Sequence, residues 1–341
     1  MASTFVPFVD GGAAFIVDWL ERMLRRRGHE VETLRIPFDS HYSALLDQML
    51  ALRLLDVSGH GDRLIAIRTP SYLLRHPAKV LWFIHHHRGA YDLWGTPYQD
   101  IPDTPAGRRI REAIIHADNL AFGEARAIFA NSGVVRARLQ RFNGVQAGVL
   151  YPPLIDPERY GAAEYGDYVL YVSRLAAHKR QHLAIEAMRY TRTAVRLVVA
   201  GAPENAGYLD SLRRLVETRG LRDRVELRAG WIPEREKIDL FSRCLAVLYL
   251  PFDEDSYGYP SLEAHHSGKA VITTTDSGGT LELVRDGANG FVTGPSPKKI
   301  AAALDRLYRD RALARRMGEA GMGRMEELGI SWDRVLEKLL A

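Results

Sequence analysis

Strand-like and helix-like stretches alternate along the whole chain, in two separate runs. In the first run, short apolar stretches at 5–8, 31–36, 63–67, 80–84, 127–130 and 145–149 read as strands, with longer stretches such as 14–27 reading as helices between them. Tyr151-Pro152-Pro153 then breaks the pattern as a linker. A second run starts at Tyr168, with strand signals at 168–172, 196–199, 225–227, 246–249, 270–273 and 290–292. Strands spaced this way need crossover helices, because a tight hairpin cannot join parallel neighbours. The expected fold class is α/β, a parallel sheet wrapped by helices in each of two domains, with the cleft between them as the default ligand site.

Composition narrows the class. The 341 residues are enough for two ordinary cores, and 46% hydrophobic with 26% charged residues is a soluble, globular balance. No apolar run approaches the roughly 20 residues of a membrane span, and no signal peptide is visible. Cys244, the one cysteine, excludes a disulfide framework and a cysteine zinc site, fits a reducing cytosol, and is expected in the core. The net charge of +4, with basic clusters such as 25–27, 108–111 and 136–141, invites an anionic partner. No recognition helix, zinc finger or RNA-binding signature accompanies it, so nucleic acid is not expected. An anionic membrane surface carrying a lipid-linked acceptor remains open.

The stretch DSYGYPSLEAHHSG, from Asp255 to Gly268, carries the most chemistry. Asp255 and Glu263 stand eight positions apart, the first in a loop and the second in a helix opened by Pro260 and Ser261. A loop that feeds a helix N-terminus, here through Tyr257, Gly258 and Tyr259, offers backbone N–H groups to a phosphate. A carboxylate inside that helix can accept from a ribose diol, and the loop carboxylate from a sugar hydroxyl. Upstream, YVLYVSRLAAHKR places Arg174 and Lys179 at the carboxyl end of a strand, where open α/β sheets bind ligands. Two fixed cations there could neutralise a diphosphate leaving group. Gly201 and the pair Gly278-Gly279 each follow a strand and let backbone come close to a nucleotide.

These segments together resemble the retaining glycosyltransferases of family 4, which have the GT-B fold. Arg174 and Lys179 match that family's Arg-x4-Lys clamp, and Asp255 with Glu263 its Glu-x7-Glu motif, with Asp in the first place. Glu254, one residue off register, leaves open which carboxylate meets the donor sugar. The stretches 277–292 and 8–31 resemble the family as well, so the likeness spans nearly the whole chain. The resemblance implies two Rossmann-like domains facing a deep cleft: 1–155 on the acceptor side, 156–327 for the nucleotide sugar, and a C-terminal helix at about 328–341 returning to the first domain. It implies that Gly11 and Gly12 lie beneath the donor diphosphate, and that the loop with Trp231 and Ile232 meets the nucleobase.

The first run adds WFIHHHRGAYDLWGT, from Trp82 to Thr96. Adjacent histidines on an extended chain cannot all point one way, so a zinc cluster is not expected. A histidine at a strand's carboxyl end can hydrogen-bond a donor hydroxyl. The resemblance assigns that role to His85 or His86. Asp10-Gly11-Gly12 is not a G-x-G-x-x-G, which argues against a dinucleotide cofactor.

The sequence thus points to a retaining hexosyltransferase. It would move a hexose from a nucleoside diphosphate sugar to a hydroxyl of a sugar or lipid-linked acceptor, in glycan, polysaccharide or glycolipid assembly. It is expected to work without metal or cofactor, in the cytoplasm or peripherally at the inner face of the membrane. Two other readings stay open: another GT-B enzyme, such as a nucleotide-sugar epimerase, and a catalytically silent binding subunit of a glycan assembly complex.

Overall fold

The computed structural model describes residues 1–7, 12–39, 41–96 and 99–341, with Gly12–Ala14 described by backbone alone. The chain divides into two compact units, Met1–Pro153 with Ile330–Ala341, and Leu154–Gly329. Each is built on one six-stranded parallel sheet. In the first unit β1 (Ala2–Phe5), β2 (Leu34–Pro37), β3 (Leu64–Ala66), β4 (Lys79–Phe83), β5 (Ala127–Ala130) and β6 (Gly148–Val149) lie in the order β2-β1-β3-β4-β5-β6. In the second, β7 (Tyr168–Val172), β8 (Arg196–Gly201), β9 (Val225–Ala229), β10 (Ala246–Leu248), β11 (Val271–Thr274) and β12 (Gly290–Thr293) lie in the order β12-β11-β10-β7-β8-β9.

Parallel strands covered by helices on both faces must be apolar on both faces. β10 and β11 meet that demand: every residue of each is buried. The second sheet grows outward from β7 in one direction and from β10 in the other, so the loops leaving those two strands part and open a crevice at their carboxyl ends. That switch point positions the site described below.

Two elements differ from the sequence expectation. The first strand is Ala2–Phe5, not 5–8. Ala2, Ser3 and Thr4 are small residues, two of them polar, but they are buried between β2 and β3, and pairing on both sides outweighs weak propensity. The helix Tyr42–Leu54 gives no clear signal, because its leucines spread round the axis: Leu45 and Leu52 are buried while Leu50 and Leu54 are exposed.

The chain ends in the first unit. Ser331 caps the helix Trp332–Leu340, accepting from the Arg334 amide at 3.3 Å. The helix buries Trp332, Val335, Leu336 and Leu339. Trp332 meets Trp82 edge-on at 6.2 Å, and Arg63 Nη1 donates to the Leu339 carbonyl at 2.7 Å. Among the described residues no helix is long and apolar enough to cross a membrane.

Candidate active site

The loops after β7 and β10 meet at the switch point. Lys179 ends a short 3-10 turn, Ala177–Lys179, and its Nζ forms an ion pair with Glu254 on the loop after β10. The same Nζ lies 3.1 Å from Tyr249 OH, which donates to Glu254 Oε2 at 2.9 Å. Burial pushes the Glu254 carboxyl up, but Lys179 and the Tyr249 hydroxyl together hold it below the usual range. The sequence reading did not anticipate this contact between residues 75 positions apart. It brings Glu254, rather than Asp255, onto the lysine of the Arg-x4-Lys pair; Asp255 follows on the same loop. Arg174 faces Glu204 at 3.4 Å, with both side chains about two-fifths exposed. Such a pair is weak, so Arg174 can leave it for a ligand at little cost.

Arg180 holds the two loops together. Its backbone has φ of 55°, and its guanidinium donates to the Leu250 and Pro251 carbonyls at 2.7 Å each. It also donates to Thr274 Oγ1 and to both oxygens of Asp276, at 2.8 Å each. One side chain thereby ties the Lys179 turn to the loop after β10 and the end of β11. A planar fork of five donors suits this task. No sequence pattern marks it, since Asp276 is 96 positions away.

Glu263 lies in the helix Tyr259–His266 and is 4% exposed. Its Oε1 accepts from Lys237 Nζ at 2.6 Å and from Tyr160 OH at 3.1 Å. Lys237 also meets Glu234 Oε2 at 2.9 Å, and Tyr160 OH reaches Glu234 Oε1 at 2.8 Å. Burial lowers the Lys237 pKa, but Glu263 and Glu234 raise it above its usual value, so the lysine stays charged. These partners too went unread in the sequence. Lys237 and Glu234 lie in the helix Glu234–Arg243, directly after the loop with Trp231 and Ile232. Trp231 is 65% exposed there, an isolated large aromatic surface.

The helix starts one residue before Pro260, with Gly258 at its N-cap and Tyr259 as its first residue. Pro260 is tolerated because an N–H in the first turn has no intrahelical acceptor. Gly258 packs under Tyr249, where a Cβ would stand 2.2 Å from the ring; Tyr257 is buried. Gly278, with φ of 60°, lies against the Glu254 backbone, where a Cβ would meet the Glu254 carbonyl at 2.5 Å. The Gly279 amide donates to that carbonyl at 2.8 Å. These glycines therefore let the loop after β11 press onto the carboxylate loop. Gly201 ends β8, and its carbonyl accepts from Gly230 N at 3.0 Å.

In the first unit the adjacent histidines separate. His86 is 2% exposed, with Nε2 2.9 Å from Asn143 Oδ1 and its ring packed between Phe83 and Tyr91. Burial pushes its pKa down to about 4. Its ring packs as part of the first unit's core. His85 is only partly buried, with Nδ1 2.7 Å from the His86 carbonyl. Gly12 begins the helix Gly12–Arg26, whereas Gly11 lies outside the described residues. Among the described residues no group of three or more His, Cys, Asp or Glu could hold a metal ion.

The fold has counterparts among solved structures. Sucrose-phosphate synthase from Thermosynechococcus elongatus superposes with a TM-score of 0.76 at 18% identity, over 99% of this chain and 96% of that one. HepE from Anabaena, solved with UDP and glucose, gives 0.70 at 18% identity, over 99% and 98%. Those likenesses define the class: two parallel six-stranded sheets with helices, the GT-B fold. The model of the family "Glycosyl transferases group 1" matches residues 155–324, which lie within the second unit. Human ALG2, an alpha-1,3/1,6-mannosyltransferase, is 28% identical over 282 residues, 75% of this chain and 65% of its own length. D-inositol 3-phosphate glycosyltransferase of Nocardia farcinica is 29% identical over 266 residues, 71% and 56%. The chain thus spans less than two thirds of these two relatives.

Proposed function

We propose that the protein is a retaining hexosyltransferase that takes its sugar from a nucleoside diphosphate donor and passes it to a hydroxyl of a sugar or lipid-linked acceptor. The observation that carries this reading is the cluster at the switch point between β7 and β10, where Arg174 and Lys179 follow one strand and Glu254, Asp255 and Glu263 follow the other. The two cations neutralise the charge that gathers on the leaving diphosphate, which is where fixed charges lower a barrier most. Glu263 accepts from the ribose, Asp255 from the donor sugar, and Glu254 balances Lys179. Trp231 and Ile232 border the base. In the first unit His85 takes the sugar contact. The leaving diphosphate itself accepts the acceptor's proton, and attack from the same face retains configuration. The two cations take on the neutralising work that a divalent metal does in other enzymes, so the reaction needs no metal. Work at the inner face of a membrane suits a lipid-linked acceptor.

The test is a panel of UDP- and GDP-sugars, with and without chelator, scored for acceptor-dependent release of nucleoside diphosphate and for the product's anomeric configuration by NMR. Turnover in chelator with retained configuration supports the reading. Absence of both binding and turnover across the panel removes it. An inverted product or restoration by Mn2+ corrects the mechanism alone.

A further inference from the structure

Glu263 is held through one oxygen. Lys237 and Tyr160 both approach Oε1, at 2.6 and 3.1 Å, and among the described residues Oε2 accepts no hydrogen bond. A phenol has one proton, so Tyr160 cannot serve Glu263 and Glu234 at once. Lys237 has three and can serve both. It is therefore the constant donor in a partly exposed cluster that would otherwise set two carboxylates against each other. Its place, in the first turn of the helix that follows the Trp231 loop, links that loop to Glu263.

We propose that Lys237 is the positioning residue of nucleoside recognition: by fixing Oε1 of Glu263 it turns Oε2 alone toward the vicinal hydroxyls of a ribose. The proposal rests on the nucleotide reading above. It makes discrimination between a ribonucleotide and one lacking those hydroxyls depend on a lysine that touches neither hydroxyl. A lysine that only supported the fold would affect both ligands alike.

The experiment is calorimetric titration of the intact protein and its Lys237→Met variant with UDP, GDP and the 2′,3′-dideoxy analogue of each. The wild type should prefer the ribonucleotide by about tenfold, the worth of one charge-assisted hydrogen bond. In Lys237→Met that preference should shrink to about twofold or less, by loss of ribonucleotide affinity, with the dideoxy analogue unchanged. Lys237→Arg should keep most of it. Equal weakening toward both ligands overturns the proposal, and so does a preference that survives in Lys237→Met. If Lys237→Met does not fold, Lys237→Gln gives the same comparison with charge alone removed. A wild type that binds neither nucleotide removes the nucleotide reading and this proposal together, an outcome distinct from both of the others.

Discussion

The charge of Lys179 is met by Glu254 and Tyr249, so a diphosphate that reaches it must share the lysine with a carboxylate. This arrangement separates two roles that the sequence left merged. Lys179→Ala should lower turnover about a hundredfold, roughly 3 kcal/mol of transition-state stabilisation. It should also lower the melting temperature, because Glu254 then stays largely buried without its cation. Lys179→Ala with Glu254→Gln should recover the melting temperature and not the turnover; recovery of both would end the clamp assignment. Glu254→Gln alone should tighten binding of the free nucleoside diphosphate severalfold, about 1 kcal/mol, since a competing negative charge is gone. Asp255→Asn should leave that affinity unchanged and slow turnover of the full donor. Titration and a rate assay on both variants decide the register. If Asp255→Asn tightens nucleotide binding and Glu254→Gln slows turnover instead, the two carboxylates exchange roles.

At the scale of elements, Arg180 joins the Lys179 turn, the loop after β10 and the end of β11. Arg180→Met keeps the aliphatic stem and removes every one of these hydrogen bonds. It leaves the Asp276 carboxylate without its bidentate partner, and should destabilise the second unit by about 3 kcal/mol or more. Urea unfolding checks this, and a loss below about 1 kcal/mol would mean that the loops hold without it. In the first unit Asp118 plays a similar part. It is fully buried and accepts from Tyr72 OH at 2.9 Å and Tyr91 OH at 2.7 Å, joining the helix Pro105–Gly123 to the loop after β4. Burial raises its carboxyl pKa from 3.8 to about 7. The folded state then binds the proton more tightly than the unfolded chain, so this group's stabilisation is full below the unfolded pKa and is lost as pH rises toward about 7. Wild-type stability minus that of Asp118→Asn should therefore fall between pH 4 and pH 7, by at most about 1.4 kcal/mol per unit. A flat difference across that range contradicts a protonated Asp118. What was legible follows from the same elements. The strand Tyr168–Val172 and the capped helices announce themselves through neighbours in sequence. The partners of Glu263, Lys179 and Arg180 do not, because a hydrogen bond across 26, 75 or 96 positions leaves no local pattern. β1 leaves no local pattern for a related reason, since its small residues are strand only by virtue of what lies on either side.

At the scale of the molecule, the chain leaves the first unit at Pro153 and comes back to it at Ile330. The first core is therefore completed by the last dozen residues, whereas the second is continuous from Leu154 to Gly329. The two units should respond differently to loss of the C-terminus. Removing residues after Gly329 takes Trp332, Val335, Leu336 and Leu339 out of the first core and exposes Trp82, whose ring Trp332 meets edge-on. At roughly 1.5–3 kcal/mol for each large side chain buried, the loss is on the order of 6 kcal/mol, reduced somewhat by residual burial in the unfolded chain. Whole domains are stable by only about 5–15 kcal/mol, so the first unit should lose most or all of its cooperative melting. The second unit keeps its core and every partner of Glu263, Lys179 and Arg180. In the truncated protein a single transition should remain, and the nucleotide that binds the wild type should still raise it, by about 2.7 kcal/mol at a hundredfold excess over its dissociation constant. Scanning calorimetry with and without nucleotide measures both effects. A truncated protein that loses the nucleotide-sensitive transition would show that the second unit depends on the first for its fold. One that keeps two full transitions would show that the terminal helix adds little to the core it covers.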